Sequence, residues 1–170
     1  MLKKKISKIL VPLDGSKNSY RGLETAIVLA RQCGAIITGV YSIHAPPHSE
    51  FRGVGSVEKS LNVEVKKIME KAKILAAQNG IVFKEKILRG EIGYNIIKLA
   101  HGKEKFDMIV LGSRGRSSAK EIFFGSTSNY VIHTSKIPVV LEFLKFSFLA
   151  PNLAIFDPKK HTCIISNLKI

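Results

Sequence analysis

Three glycines and a serine stand at the spacing G-x2-G-x9-G-S in this chain: Gly112, Gly115, Gly125 and Ser126. They follow directly on the apolar run Met108-Ile-Val-Leu111. A strand that ends in a glycine-bearing turn and then enters a helix gathers several backbone N–H groups around one small volume. Glycine permits positive φ at such a turn and lets an anion approach the main chain closely. The helix start adds the positive end of its dipole. The chemistry on offer is phosphate binding, so nucleotide binding is the leading expectation.

Other chemistry has less support. The chain has no G-x4-G-K-[ST] run and no G-x-G-x-x-G fingerprint, so neither a P-loop nor a dinucleotide turn is expected. A Ser-Gly-Gly-x-Asp-Ser loop, as in ATP pyrophosphatases, is also missing. No nucleophile–base pair is recognisable, so efficient catalysis is not expected and no catalytic residue is assigned. His44 and His48 have a spacing seen in metal sites, but no third ligand is near, and no metal site is expected. Their Pro-rich loop reads equally as a lid or as a plain connection. His101 and His133 fall near helix ends, where imidazole caps carbonyls.

The elements that must position the glycine loop follow from periodicity. Ile6 to Pro12 reads as a short buried strand, turned by Asp14-Gly15-Ser16, with Ser16 placed to cap a helix. Leu23, Ala26, Ile27 and Ala30 form an amphipathic stripe that Gly34 closes. Ala35 to Ile43 is apolar almost throughout, as in a strand covered on both faces. His44 to Gly55 is a loop, and Leu61, Val65, Ile68, Ala72 and Leu75 mark a long helix ending at Asn79-Gly80. Ile81 to Leu88, with Lys84 and Lys86, reads as an exposed edge strand. Arg89-Gly90-Glu91 leads into a third helix through Ile92, Ile96 and Leu99. Asp107 to Leu111 is strand four, a fourth helix spans about Ser126 to Thr134, and Pro138 to Phe143 is strand five.

Strands separated by helices throughout define an α/β fold of three layers, α/β/α. Its sheet is five-stranded, parallel and Rossmann-like, in the order 3-2-1-4-5. Ligands bind such sheets beyond the carboxyl ends of the strands, near the switch point. Asp14 follows strand one and Gly112 follows strand four, so both loops should open on one edge.

Composition adds boundaries. At 170 residues, 45% apolar and 24% charged, the chain is an ordinary globular domain with an appendage at most. No apolar run approaches the roughly 20 residues needed to span a bilayer, so no membrane association is expected. Cys33 and Cys163 make no disulfide framework, and free thiols fit a cytoplasmic location. The net charge of +14 invites a nucleic-acid reading. However, the lysines are spread over several elements and interleaved with Glu58, Glu64, Glu70 and Glu85, which reads as a solvated surface.

These motifs together resemble the universal stress protein family, within the adenine-nucleotide α-hydrolase-like superfamily. The resemblance covers residues 5 to 143. It rests on Val11-Pro12-Leu13-Asp14-Gly15-Ser16, Arg89-Gly90-Glu91, the whole glycine pattern, and Ile137-Pro138-Val139-Val140. It implies ATP as ligand, with or without Mg2+. Pro12, Leu13 and Asp14 would lie beside adenine and ribose, and Val40, at the end of strand two, on the adenine ring. Leu111 would line the same site. Gly112, Ser113, Arg114, Gly115, Arg116, Ser117 and Ser118 would surround ribose and phosphates, while Gly125, Ser126, Thr127 and Ser128 would hold the phosphates. An ionised aspartate only accepts hydrogen bonds, which suits ribose hydroxyls, and hydroxyl and amide donors suit phosphate oxygens. The family likeness also raises phosphorylation of Ser126, Thr127 and Ser128; capping and phosphate contact are the simpler reading.

A homodimer through the strand Pro138–Phe143 is implied as well, because an apolar edge is a liability unless covered. The function expected is an ATP-binding regulatory or stress-response module with at most slow hydrolysis. A weak ATPase or phosphotransferase stays open, as does a nucleotide-free protein that recruits nucleic acid or acidic partners. The nucleotide-binding domain is placed at 1–143. Residues 144–170 depart from the family pattern, and a flexible tail, a strand packed on the dimer and an alien segment all remain open.

Overall fold

The computed structural model describes residues 5–43, 55–113, 125–142, 152–157 and 162–167, with side chains for 5–43, 61–113 and 125–142. Seven strands and four helices are present among them. In chain order they are β1 (Lys8–Pro12), α1 (Lys17–Cys33), β2 (Ile36–Ile43), α2 (Gly55–Gln78), β3 (Phe83–Arg89) and α3 (Ile92–Ala100). There follow β4 (Met108–Gly112), α4 (Ser126–Thr134), β5 (Val139–Glu142), β6 (Asn152–Asp157) and β7 (Thr162–Asn167).

Strand alternation sorts the side chains between two cores. Ile9 and Val11 of β1, with Val110 of β4, point to the face covered by α1 and α2, where they meet Leu23, Ile27, Val65 and Met69. Leu10, Ile109 and Leu111 point the other way, to Ile96 of α3 and Val131 of α4. Burial on both faces explains why these strands are apolar without a polar side. Each such aliphatic side chain contributes about 1.5–3 kcal/mol when fully buried. The result is the expected α/β/α sandwich. Its five strands β1 to β5 are all parallel in the order β3-β2-β1-β4-β5.

Local signals act where the sequence places them. Ser16 Oγ accepts from the Ser19 N–H at 3.1 Å and caps α1, and Gly34, at φ 66°, ends it in the left-handed region. Gly90 enters the α3 turn at φ 117°, giving its N–H to the Ile43 carbonyl at 2.9 Å. Glu91 then caps α3 by accepting from the N–H groups of Gly93 and Tyr94. β3 is an edge strand as expected, with Lys84 and Glu85 exposed.

Two strands lie beyond the expected five. β6 pairs antiparallel with β5, and β7 pairs antiparallel with β6, so the sheet continues to seven strands. The outer edge of β5, expected to meet a second copy, is therefore hydrogen-bonded to β6 of the same chain. The apolar run in 153–156 has strand-forming residues, and the β6–β7 ladder ends at the Asp157↔Thr162 pair.

His101 ends α3, and its Nε2 accepts the Lys136 N–H at 3.1 Å. Partial burial, and then the charge of Lys136, lower its pKa below the ordinary 6.5. Below 6.5 the unfolded chain binds this proton while the folded one resists it. The stability gained from neutral His101 is therefore complete above 6.5 and lost as pH falls through the lowered value. Urea titrations of wild type and His101→Asn should show a stability difference that shrinks between about pH 7.5 and about pH 5. A difference that stays flat over that window would contradict this account.

Candidate functional site

β1 and β4 are neighbours, in register at Ile9↔Met108 and Leu10↔Ile109, so their carboxyl ends open side by side. At the end of β1 the half-buried Asp14 accepts the Ser16 N–H on Oδ1 at 2.9 Å. Gly15, at φ 82°, completes that turn. The Leu13 N–H reaches across to the Val40 carbonyl at 2.8 Å and holds the turn against β2.

At the end of β4, Gly112 packs on helix α1. A Cβ there would lie 2.7 Å from the Asn18 carbonyl oxygen and 2.8 Å from its carbon. From the other side, a Cβ on Gly22 would sit 3.0 Å from the Gly112 nitrogen. The two glycines let a helix and a strand end touch through backbone. Neither Gly112 nor Gly125 is among the described glycines with positive φ, and Gly125 has φ −62°. Absence of a side chain, not left-handed geometry, is what Gly112 supplies; this corrects the sequence expectation.

Ser113 is buried, and both of its backbone groups are engaged. Its N–H goes to the Glu142 carbonyl at 2.8 Å, and its own carbonyl accepts the Gly125 N–H at 2.9 Å. Its amide thus braces β5 rather than facing a ligand. Ser128 is buried too, and its hydroxyl donates to the Gly112 carbonyl at 3.0 Å, tying α4 to β4. Ser126 and Thr127 remain at the mouth of α4, exposed and half-buried. That helix starts at Gly125 with no side-chain cap and no acidic residue in its first turn. Its leading N–H groups, which no helix satisfies internally, are open to an anion.

A cavity of about 410 Å³ joins these ends, within the 300–1,000 Å³ range of small-ligand sites. Of the expected site residues, Pro12, Leu13, Asp14, Val40, Leu111, Gly112, Gly125, Ser126, Thr127 and Ser128 line it. Ser113 is not in its wall. Arg114, Gly115, Arg116, Ser117 and Ser118 lie outside the described residues, as do His44 and His48. Val40 sits within β2, which ends at Ile43 as expected, and the strand's last three residues, Tyr41, Ser42 and Ile43, join the wall. Ile92 and Ile96 of α3 add an apolar surface that the sequence marked only as a core stripe. Asp14 is the one acidic residue lining the cavity among the described residues.

A parallel sheet with an uncapped helix start, a carboxylate and an apolar wall at one switch-point cavity places the candidate site where open α/β folds bind their ligands. Residues 5–141 match the model of the universal stress protein family. Universal stress protein YxiE of Bacillus subtilis is 32% identical over 152 residues, spanning 79% of this chain and 97% of that protein. The solved structure of MJ0577 from Methanocaldococcus jannaschii superposes with a TM-score of 0.77 at 27% identity, covering 85% of this chain and 100% of that one. A universal stress protein of Archaeoglobus fulgidus, solved in complex with dAMP, shares the fold. Its TM-score is 0.61 at 23% identity, over 81% of this chain and 98% of that chain. The chain belongs to the universal stress protein family. Among the described residues, no helix is long and apolar enough to cross a membrane.

Proposed function

We propose that this protein binds an adenine nucleotide, ATP, in the cavity between β1, β4 and α4, and serves as a regulatory stress-response module. The observation that carries the reading is the uncapped start of α4 at Gly125, opening on the same cavity as Asp14. The lining chemistry suits the ligand: Val40, Ile43, Ile92 and Ile96 offer an apolar surface for a base. Asp14 offers acceptors for ribose hydroxyls, and the α4 amides with the Ser126 and Thr127 hydroxyls offer donors for phosphate. The net charge of +14 favours encounter with a polyanion. Asp14 is the single carboxylate among the described lining residues and cannot cage Mg2+ alone, so the phosphates and water would complete its shell. The bound nucleotide acts as a regulatory ligand, with hydrolysis slow at most.

Calorimetric titration with ATP should give a Kd in the micromolar range, roughly −8 kcal/mol. Absence of heat and of any thermal shift at millimolar ATP would reject the reading. Asp14→Asn keeps an oxygen for the Ser16 N–H but removes the charge. It should weaken ATP binding about tenfold, as loss of a hydrogen bond to a charged group implies, with little change in melting temperature. Unchanged affinity in that variant would remove Asp14 from the site.

A further inference from the structure

The parallel part of the sheet ends in two edges of opposite character. β3 carries Lys84, Glu85 and Lys86 along its length, and charges of this kind deter pairing with another chain. β5 is Val139-Val-Leu-Glu142, and its one charge is turned inward. Glu142 is buried, held by Arg21 Nη2 at 3.1 Å and by the Thr25 hydroxyl at 2.9 Å. An edge so bare of protection needs a cover. All four of its residues are paired with β6, from Val139↔Phe156 to Glu142↔Leu153, and β7 backs β6 with six further residue pairs.

We propose that the β6–β7 hairpin is a built-in cover for β5, which occupies the edge in cis and excludes a second copy of the chain from it. Two physical arguments favour the hairpin over the copy. Covalent attachment gives β6 an effective concentration on the order of millimolar, about a thousandfold above a micromolar partner. The second argument is electrostatic. Residues 152–167 carry Lys159 and Lys160 against Asp157, a net +1, whereas a second copy arrives with +14 against +14. The cover moves the exposed edge outward to β7, whose six residues, Thr-Cys-Ile-Ile-Ser-Asn, hold no charge.

Hydrogen exchange of the full chain, read by mass spectrometry alongside sedimentation velocity, tests this. Protection of the β5 amides in wild type should be unchanged by about a hundredfold dilution, since pairing within one chain does not depend on concentration. Protection that falls on dilution, in step with loss of a dimer, would show that the copy and not the hairpin supplies the pairing. The double variant Ala154→Pro/Ile155→Pro removes one ladder donor toward each neighbour of β6, because successive amides of a central strand face opposite sides. It should sediment as a dimer at high concentration, with β5 protection that now falls on dilution. A variant that stays at the 18.8 kDa monomer with β5 unprotected would overturn the exclusion, and one with β5 still protected would overturn the cover. Should the variant fail to fold, the wild-type dilution series decides alone.

Discussion

Gly112→Val should lower stability by about 3 kcal/mol, the upper end of the overpacking range, and weaken ATP binding at least about tenfold. The first bulk it adds is a Cβ less than 3 Å from the backbone of Asn18, and backbone cannot rotate out of the way as a side chain can. Either α1 or the end of β4 must shift. Both consequences reach the cavity, since Gly112 and Ser19 share its wall and Asp14 precedes α1. Urea denaturation reads the first effect and calorimetry the second. Gly112→Ala should show a smaller loss in the same direction. Wild-type stability in both variants would mean that the close approach is not a constraint.

The second large effect is expected at Ile109, fully buried in β4 between Leu10 of β1 and Val139 of β5. Ile109→Ala should cost about 4 kcal/mol, because neighbours locked in a parallel sheet close poorly around the cavity left behind. For a chain of this size that is a fall in melting temperature on the order of 10 °C. Val82→Ala is the matching control: Val82 is 60% exposed, and its truncation should change little. A loss under about 1 kcal/mol at Ile109 would contradict the packing described, since even Ile→Val in a core costs that much.

The architecture was legible in the sequence because apolar runs, caps and turn glycines all point the same way. Ser16, Gly34 and Glu91 stand at the helix ends their chemistry suggests, and α4 spans the residues its flanks mark out. The site was legible only in outline. Ser113 and Ser128 have the residue types of ligand donors, yet the backbone groups of Ser113 are spent on Glu142 and Gly125, and the Ser128 hydroxyl is spent on Gly112. Residue type shows what a group can bond, not which partner reaches it first. Gly22 carried no signal beyond a helix propensity cost of about 1 kcal/mol, and its reason lies in Gly112, 90 residues away. The inward turn of Glu142 was equally silent, because Arg21 and Thr25 meet it only once α1 lies across β5.

Ser113 also settles how the protein tolerates change at its most chemically suggestive segment. With Ser113 bonded to Gly125 on one side and to Glu142 on the other, the two mouths of the 114–124 stretch are stapled together by main chain alone. The end of β4 and the start of α4 are thus joined directly at the residues that flank that stretch. Swapping in a foreign cassette of double the length should raise the closure penalty by only about 0.6 kcal/mol. A longer insertion there should therefore leave the scaffold's melting behaviour almost unchanged.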